Sequence, residues 1–446
     1  MFFTGVTILF FILQSLLILT TKFTFWPEIV TFSWMVNKGM IPYRDFFDHH
    51  GFLMYYLLSP LMDNGFILLK IFYLLIQSLN LFFVLLILRK ASNRLGLVMG
   101  GILYVFIGYF VSENVLWYEI VITTFLLGSY YLMNRENNIN LLNFIIGIMI
   151  TLASFIKPTA GIFIIPVIFF RKSIIPLVIY MLSWLWVFVI YFSNKGSLNL
   201  LDNLFFFNHY FATNYRNSYY SDWKFHVSVI LIILFCVFAY WKKGKIKEIL
   251  KPLSFILFSA VFFFYLYNKW HLLPLMSFFV ILIGQILNLK HFKFRNLFVA
   301  LLVAYCLILG RKTAMQQNIL NKTTPWQDNK RNSEIIGYLK QNKLEKERLY
   351  VFGNQGELYY LLGQIPPTYF VLQFPLLSKY YPGMENRIVK EMEKNNVRTV
   401  IVTLPKDKEF ISLTTIDNKI LSDFFPVKKT AGYIIYRSRE TIAKSL

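Results

Sequence analysis

Between two apolar runs the chain carries GMIPYRDFFDHHGF, residues 39–52. This stretch sets Arg44, Asp45, Asp48, His49 and His50 among aromatic side chains, with Glu28 shortly upstream in FWPEIVTFSW. These are the residue types of proton transfer, anion binding and metal ligation. A solvated loop has no need of them between aromatic anchors, and ionisable groups at membrane depth are functional by default. Tyr43, Arg44 and Asp45 read as one unit. Arg44 either pairs with Asp45 or holds a phosphate oxygen through a bidentate contact. Asp48, His49 and His50 contain metal-ligand types, but a metal is not favoured, because neighbouring side chains in regular structure point apart.

Further ionisable groups stand at the ends of apolar runs. SENVLWYEI holds Glu113 and Glu119. Glu113 reads as a polar turn, whereas Glu119 lies about one helical turn into its run, where an unpaired charge is costly. Lys157 opens KPTAG and Lys70 lies near the start of its run; each can snorkel to the interface or meet an anion. YNKWHLLP adds Lys269 and His271. The stretch NHYFATNYRNSYYSDWKFH, with Arg216 and Trp223, suits either sugar contact or interfacial anchoring.

The elements that must position these groups are membrane helices. Of the 446 residues, 57% are hydrophobic and 15% charged, against about 25% charged in an average soluble domain. Apolar runs at 2–21, 64–88, 95–112, 115–133, 140–156, 158–170, 174–193, 226–241, 252–267, 271–288 and 294–310 give about eleven candidate spans. The net charge of +22 does not indicate nucleic acid: lysines and arginines gather in alternate loops, as positive-inside topology demands. That pattern places the N-terminus in the cytoplasm and residues 22–63, 194–225 and 311–446 outside. The first run has no basic n-region and no small-residue cleavage site, so it reads as a retained span. Residues 27–37 fit a helix lying on the membrane surface. Cys236 and Cys306 fall inside apolar runs and read as packing residues. After residue 310 the pattern changes. Helical pieces (NSEIIGYLKQNK, MENRIVKEMEKNN) alternate with strand-like ones (RLYVFG, VRTVIVTL, GYIIYRS). The expected fold class is therefore a polytopic all-α membrane bundle, residues 1–310, followed by an extracytoplasmic α/β domain, residues 311–446. There is no Walker motif, dinucleotide fingerprint or zinc-protease motif.

An acidic residue following the first span, then a surface helix, then G-x-x-P-Y-R-D-F-F-x-x-H resembles the dolichyl-phosphate-mannose protein mannosyltransferase-like glycosyltransferases of the GT-C fold, in their bacterial branch. LYVFGNQGELYYLLGQIPPTYF resembles the extracytoplasmic domain that many of these proteins carry, and the resemblance covers most of the chain. It implies an inverting transferase in the plasma membrane, with a polyprenyl-phosphate-linked sugar as donor. Its acceptor would be a glycan, lipid or protein outside the membrane. An acceptor hydroxyl needs a carboxylate to take its proton, and a leaving phosphate needs cations. The family often has an acidic pair where this chain has Pro27 and Glu28, so Glu28 and Asp45 compete as catalytic base. Arg44, Lys157, Lys269 and His271 become candidates for the donor phosphate. Tyr43, Asp48, His49, His50 and Glu119 become candidates for substrate binding, and no cofactor is expected. A polysaccharide polymerase or ligase, a flippase for lipid-linked sugars and a non-catalytic scaffold are the competing readings.

Overall fold

The computed structural model describes residues 1–194, 197–214, 223–264, 269–289, 295–322, 330–353, 355–372, 375–403, 414–430 and 432–439. The first half of the chain runs α1 (Phe2–Thr20), β1 (Thr24–Phe25), α2 (Pro27–Asn37), α3 (Leu53–Leu58), α4 (Phe66–Ala91), α5 (Arg94–Ser112), β2 (Val115–Leu116), α6 (Tyr118–Met133), α7 (Ile139–Ile156), α8 (Ile164–Arg171) and α9 (Ile175–Ser193). Packing divides the chain into two compact units that interleave in sequence. One comprises residues 1–25, 64–190 and 216–322; the other comprises 26–63, 191–215 and 323–446.

The first unit is helical. Helices α1, α4, α5, α7 and α9 are long and apolar enough to cross a bilayer, and shorter apolar helices lie at 118–133, 158–171, 229–242 and 270–286. This is a membrane-embedded chain. The run at 158–170 begins as a 3₁₀ turn, Pro158–Phe163, before α8, because a proline ring removes one donor and restricts the residue before it. The run at 252–267 forms Leu250–Ser259 and Val261–Phe264, and the last run continues as Arg295–Lys322. Cys236 and Cys306 are free and buried.

Between lipid-facing helices, association depends on close packing and internal hydrogen bonds, because lipid is as apolar as leucine. Here α5 meets the helix Leu273–Ile286 through glycines. A Cβ on Gly96 would stand 2.3 Å from the Gly284 carbonyl oxygen, and one on Gly284 would stand 2.3 Å from Leu88. Asn93 caps α5 by accepting from the Gly96 amide (2.8 Å) and donates to the Leu287 carbonyl (2.9 Å). Gly96→Val is therefore expected to cost about 1–3 kcal/mol through overpacking, read as a lower thermal midpoint in detergent. The surface change Lys172→Gln serves as the neutral comparison.

Buried Asn114 ties the ends of this unit together. Its side-chain amide donates to the Ile18 carbonyl (3.2 Å) and the Lys22 carbonyl (3.1 Å), beside the short parallel pairing of β1 with β2. β2 leads straight into α6, so Glu119 stands on the first turn of that helix.

The second unit is built around a four-stranded sheet of β3 (Leu349–Phe352), β4 (Thr399–Thr403), β5 (Phe424–Lys429) and β6 (Tyr433–Ser438), in the order β3-β4-β6-β5. β3 and β4 are parallel; β4–β6 and β6–β5 are antiparallel. β3 is buried along its whole length, which its run of Leu, Tyr, Val and Phe permits. The helix Met384–Lys394 turns Met384, Ile388 and Met392 inward at four-residue spacing.

Residues 26–63 and 191–215 build this unit together with the C-terminal part. The Phe47 amide donates to the Tyr369 carbonyl (2.8 Å), and the Tyr369 hydroxyl donates to the Tyr43 carbonyl (3.0 Å). Asn203 donates to the Tyr369 hydroxyl (3.1 Å). The Phe47 ring packs against Phe207, Phe370 and Tyr381. One expectation is corrected here. α2 is not a surface helix with one wet face: every residue from Glu28 to Val36 is buried. Phe32 stacks on Phe46 and meets the edge of Tyr55, and Trp34 meets Tyr360. Its apolar pattern is that of a buried helix once Thr31 and Ser33 are counted as tolerated polar residues; the Ser33 hydroxyl is satisfied by the Ile29 carbonyl (2.5 Å).

Candidate functional site

In the second unit, Pro27 and Glu28 open α2. The fixed φ of proline suits a helix start, and the helix dipole favours a carboxylate there. The chain then turns at Gly39 (φ +84°) and again at Tyr43, which adopts φ +65°. An aromatic residue in the left-handed region is an outlier that the surroundings must hold. The Tyr43 hydroxyl donates to the His50 carbonyl (2.5 Å), and the Tyr43 carbonyl accepts from Asn199 (2.9 Å) as well as from Tyr369.

This turn gathers four ionisable side chains. Asp48 is buried and accepts from the Tyr55 hydroxyl and the His50 amide (3.2 Å). Its Oδ1 lies 3.2 Å from His50 Nδ1 and 3.7 Å from His49 Nδ1. His50 Nδ1 in turn lies 3.9 Å from Glu28 Oε1. One imidazole thus stands between two buried carboxylates. Burial pushes Glu28 well above the usual carboxylate range, and the Asp48 charge adds to the effect. Burial likewise raises Asp48 to about 6, against the opposing pull of His49 and the Tyr55 hydrogen bond.

The adjacent histidines do not point apart as residues of a regular strand would. Their ring centroids are 4.1 Å apart, and Asp48, His49 and His50 each offer one ligand atom within 4.8 Å of the others. The turn, not the spacing, decides this. Arg44 and Asp45 form a bidentate pair (2.8 and 2.6 Å). Asp45 also accepts from the Ile41 amide (2.7 Å), so its carboxylate closes the loop. Tyr55 was not foreseen; in LMYYLL nothing distinguishes it from an interfacial anchor, and only the fold aims its hydroxyl at Asp48.

In the first unit, three foreseen residues converge from distant parts of the chain. Glu119 is fully buried on the first turn of α6. Lys157 ends α7 in an extended conformation, as the following proline requires. His271 lies on the 3₁₀ turn Lys269–Leu272. Glu119 Oε1 stands 2.6 Å from Lys157 Nζ and 2.5 Å from His271 Nδ1, and Lys157 and His271 are 3.4 Å apart. Lys157 also sits 5.6 Å above the Phe262 ring. Glu119 Oε2 is buried without a hydrogen-bond partner among the described residues. Lys70 donates to the Leu19 carbonyl at the end of α1 (3.4 Å), the snorkelling alternative. Glu113 ends α5 in the left-handed region, the turn role expected of it. Arg216 and the side chains of Trp223 and Lys269 lie outside the described residues.

No family model matches the chain, and no curated protein matches it. Solved structures do. ArnT from Cupriavidus metallidurans, bound to undecaprenyl phosphate, superposes with a TM-score of 0.58 at 9% identity, covering 97% of this chain and 97% of that one. The apo oligosaccharyltransferase of Archaeoglobus fulgidus superposes at 0.57 with 10% identity, and that organism's AglB, in complex with an inhibitory peptide and a dolichol-phosphate, at 0.56 with 11%. Each archaeal match covers 98% of this chain and 74% of that one. The chain has the GT-C fold. The likeness to the bacterial structure runs over nearly the whole of both chains.

Proposed function

We propose that the chain is an integral membrane glycosyltransferase that moves a sugar from a polyprenyl-phosphate-linked donor to a glycan, lipid or protein acceptor outside the membrane. The observation that carries this reading is the pair of buried carboxylates, Glu28 and Asp48, linked through His50 in a chain of GT-C fold. Support for the donor class comes from the lipid phosphates held by ArnT and AglB. Crossing the membrane about eleven times from a cytoplasmic N-terminus would put residues 22–63, 194–225 and 311–446 outside the plasma membrane.

In the proposed step, Glu28 takes the proton of the acceptor hydroxyl as its oxygen bonds to the anomeric carbon. The bond from that carbon to the phosphate oxygen breaks, the lipid phosphate leaves with the electron pair, and the anomeric centre inverts. His50, held by Asp48, faces Glu28 and orients it. Tyr43 and His49 shape the acceptor pocket, while Asp45 fixes the loop by holding Arg44. Lys157 and His271, steadied by Glu119, are the proposed partners of the lipid phosphate. Lys269 and the outward face of Arg44 are secondary candidates for that role. The step needs no cofactor. Activity lost to EDTA and restored by one divalent ion would instead assign Asp48, His49 and His50 as its ligands.

Glu28 must be ionised to take the proton, and burial raises it well above the usual carboxylate range. Transfer should therefore fall on acidification, with an acid limb above the usual carboxylate range. Asp48→Asn removes the charge that helps to raise Glu28, so the acid limb should move to lower pH. A pH–rate profile in proteoliposomes checks both statements.

The deciding experiment deletes the gene, profiles polyprenyl-phosphate sugars by mass spectrometry and complements with wild type or Glu28→Gln. One lipid-linked monosaccharide should accumulate, and wild type alone should clear it. If no such lipid changes, and the purified protein transfers nothing from defined donors, the reading is wrong.

A further inference from the structure

At the other end of α6 from Glu119, roughly 24 Å along the helix axis at 1.5 Å per residue, the first unit holds an open cavity of about 600 Å³. Its lining is unusually cationic: Lys90, Arg135, Arg171, Lys247 and Lys251 against Glu136 and Glu248. The cations are not neutralised by one another's neighbours. Lys90 donates to the Asn134 carbonyl, and Lys251 to the Asn134 side chain (3.1 Å). Arg171 donates through Nε to Asn143 (2.7 Å) and through Nη1 to the Arg135 carbonyl (2.8 Å). All these acceptors are neutral. Arg171 Nη2 is buried with no partner among the described residues. A guanidinium fixed on two edges with its third nitrogen unpaired is a preorganised half of a bidentate oxyanion contact.

Lys90, Arg135 and Lys247 are exposed, as simple positive-inside charge would leave them, but Arg171 and Lys251 are half-buried. Lys90 and Lys251 both reach Asn134, and the orphan nitrogen of Arg171 is shielded from water. The same wall holds Leu86, Ile87 and Phe170, so the cavity offers apolar surface beside the cations. That combination fits an amphiphile better than a small soluble ion.

We propose that this cavity binds a phosphate group carried by an anionic lipid, at a site separate from the Glu119 cluster.

The test uses the full chain in nanodiscs and reads lipid binding, so it does not depend on transferase activity. Phosphatidylglycerol, net-neutral phosphatidylcholine and inorganic phosphate are the probes, with bound lipid counted by native mass spectrometry. Phosphatidylglycerol should be retained and phosphatidylcholine exchanged. Each cation is worth about 1 kcal/mol near an anionic headgroup, so Lys251→Gln should weaken retention about fivefold and Lys90→Gln with Lys251→Gln about 30-fold. Arg171→Gln should do more, but it also loses the bonds to Asn143 and Arg135, so the lysine variants carry the decision. If millimolar inorganic phosphate displaces the lipid and binds by itself with equal affinity, the phosphate site stands and its natural ligand is the free ion. Equal phosphatidylglycerol retention by wild type and the double lysine variant overturns the proposal.

Discussion

Glu28→Gln is expected to lower transfer by about 10²–10⁴-fold, the range for removing a positioned general base, while the protein keeps its fold. The substitution is nearly isosteric, and burial already disfavours the charged carboxylate, so a neutral amide should not destabilise α2. Single-turnover transfer from a defined polyprenyl-phosphate sugar, followed by mass spectrometry, gives the rate. Asp45→Asn is the informative contrast. Its carboxylate is occupied by two bonds to Arg44 and one to the Ile41 amide, so its loss should act through loop geometry, raising KM more than it lowers kcat. Near-normal kcat in Glu28→Gln together with a collapse in Asp45→Asn would move the base to Asp45.

The largest stability effect is expected at Glu119. Replacing it with Gln leaves Lys157 and His271 facing each other at 3.4 Å with no carboxylate between them. Breaking a buried pair by removing one partner costs about 3–5 kcal/mol. The lower end applies here, because the Lys157 side chain is 22% exposed and solvent screens part of the charge. A thermal melt in detergent should therefore shift strongly for Glu119→Gln. Adding Lys157→Met to that variant should recover part of the loss, giving a coupling energy of about 1–3 kcal/mol in a double-mutant cycle. A Glu119→Gln protein as stable as wild type would mean that the three groups do not act as a unit.

These two predictions concern residues of different legibility. Glu28 announces itself: a carboxylate after a proline, at a helix start and beside an apolar run, is a local pattern. So are the apolar runs, which mark most of the helices to within a few residues, the last helix excepted, because hydropathy and helix length are properties of short segments. The strands at 349–352, 399–403 and 433–438 were likewise visible as short β-rich runs. At Gly96 and Gly284 the sequence shows glycine but not the partner that makes glycine necessary.

What only the tertiary structure decided is which distant residues meet. Glu119, Lys157 and His271 were each visible as an ionisable group at the end of an apolar run. Their meeting spans separations of 38, 114 and 152 residues and depends on how three helix ends pack, which no local periodicity encodes. The burial of α2 on every side, the closing of His49 onto His50 and the aim of Tyr55 at Asp48 have the same origin. By itself the sequence determined most of the helices, three strands of the four-stranded sheet and the inventory of groups able to do chemistry, because these depend on neighbours in the chain. The fold determined which carboxylates are desolvated and which cations are paired, because desolvation and pairing depend on neighbours in space.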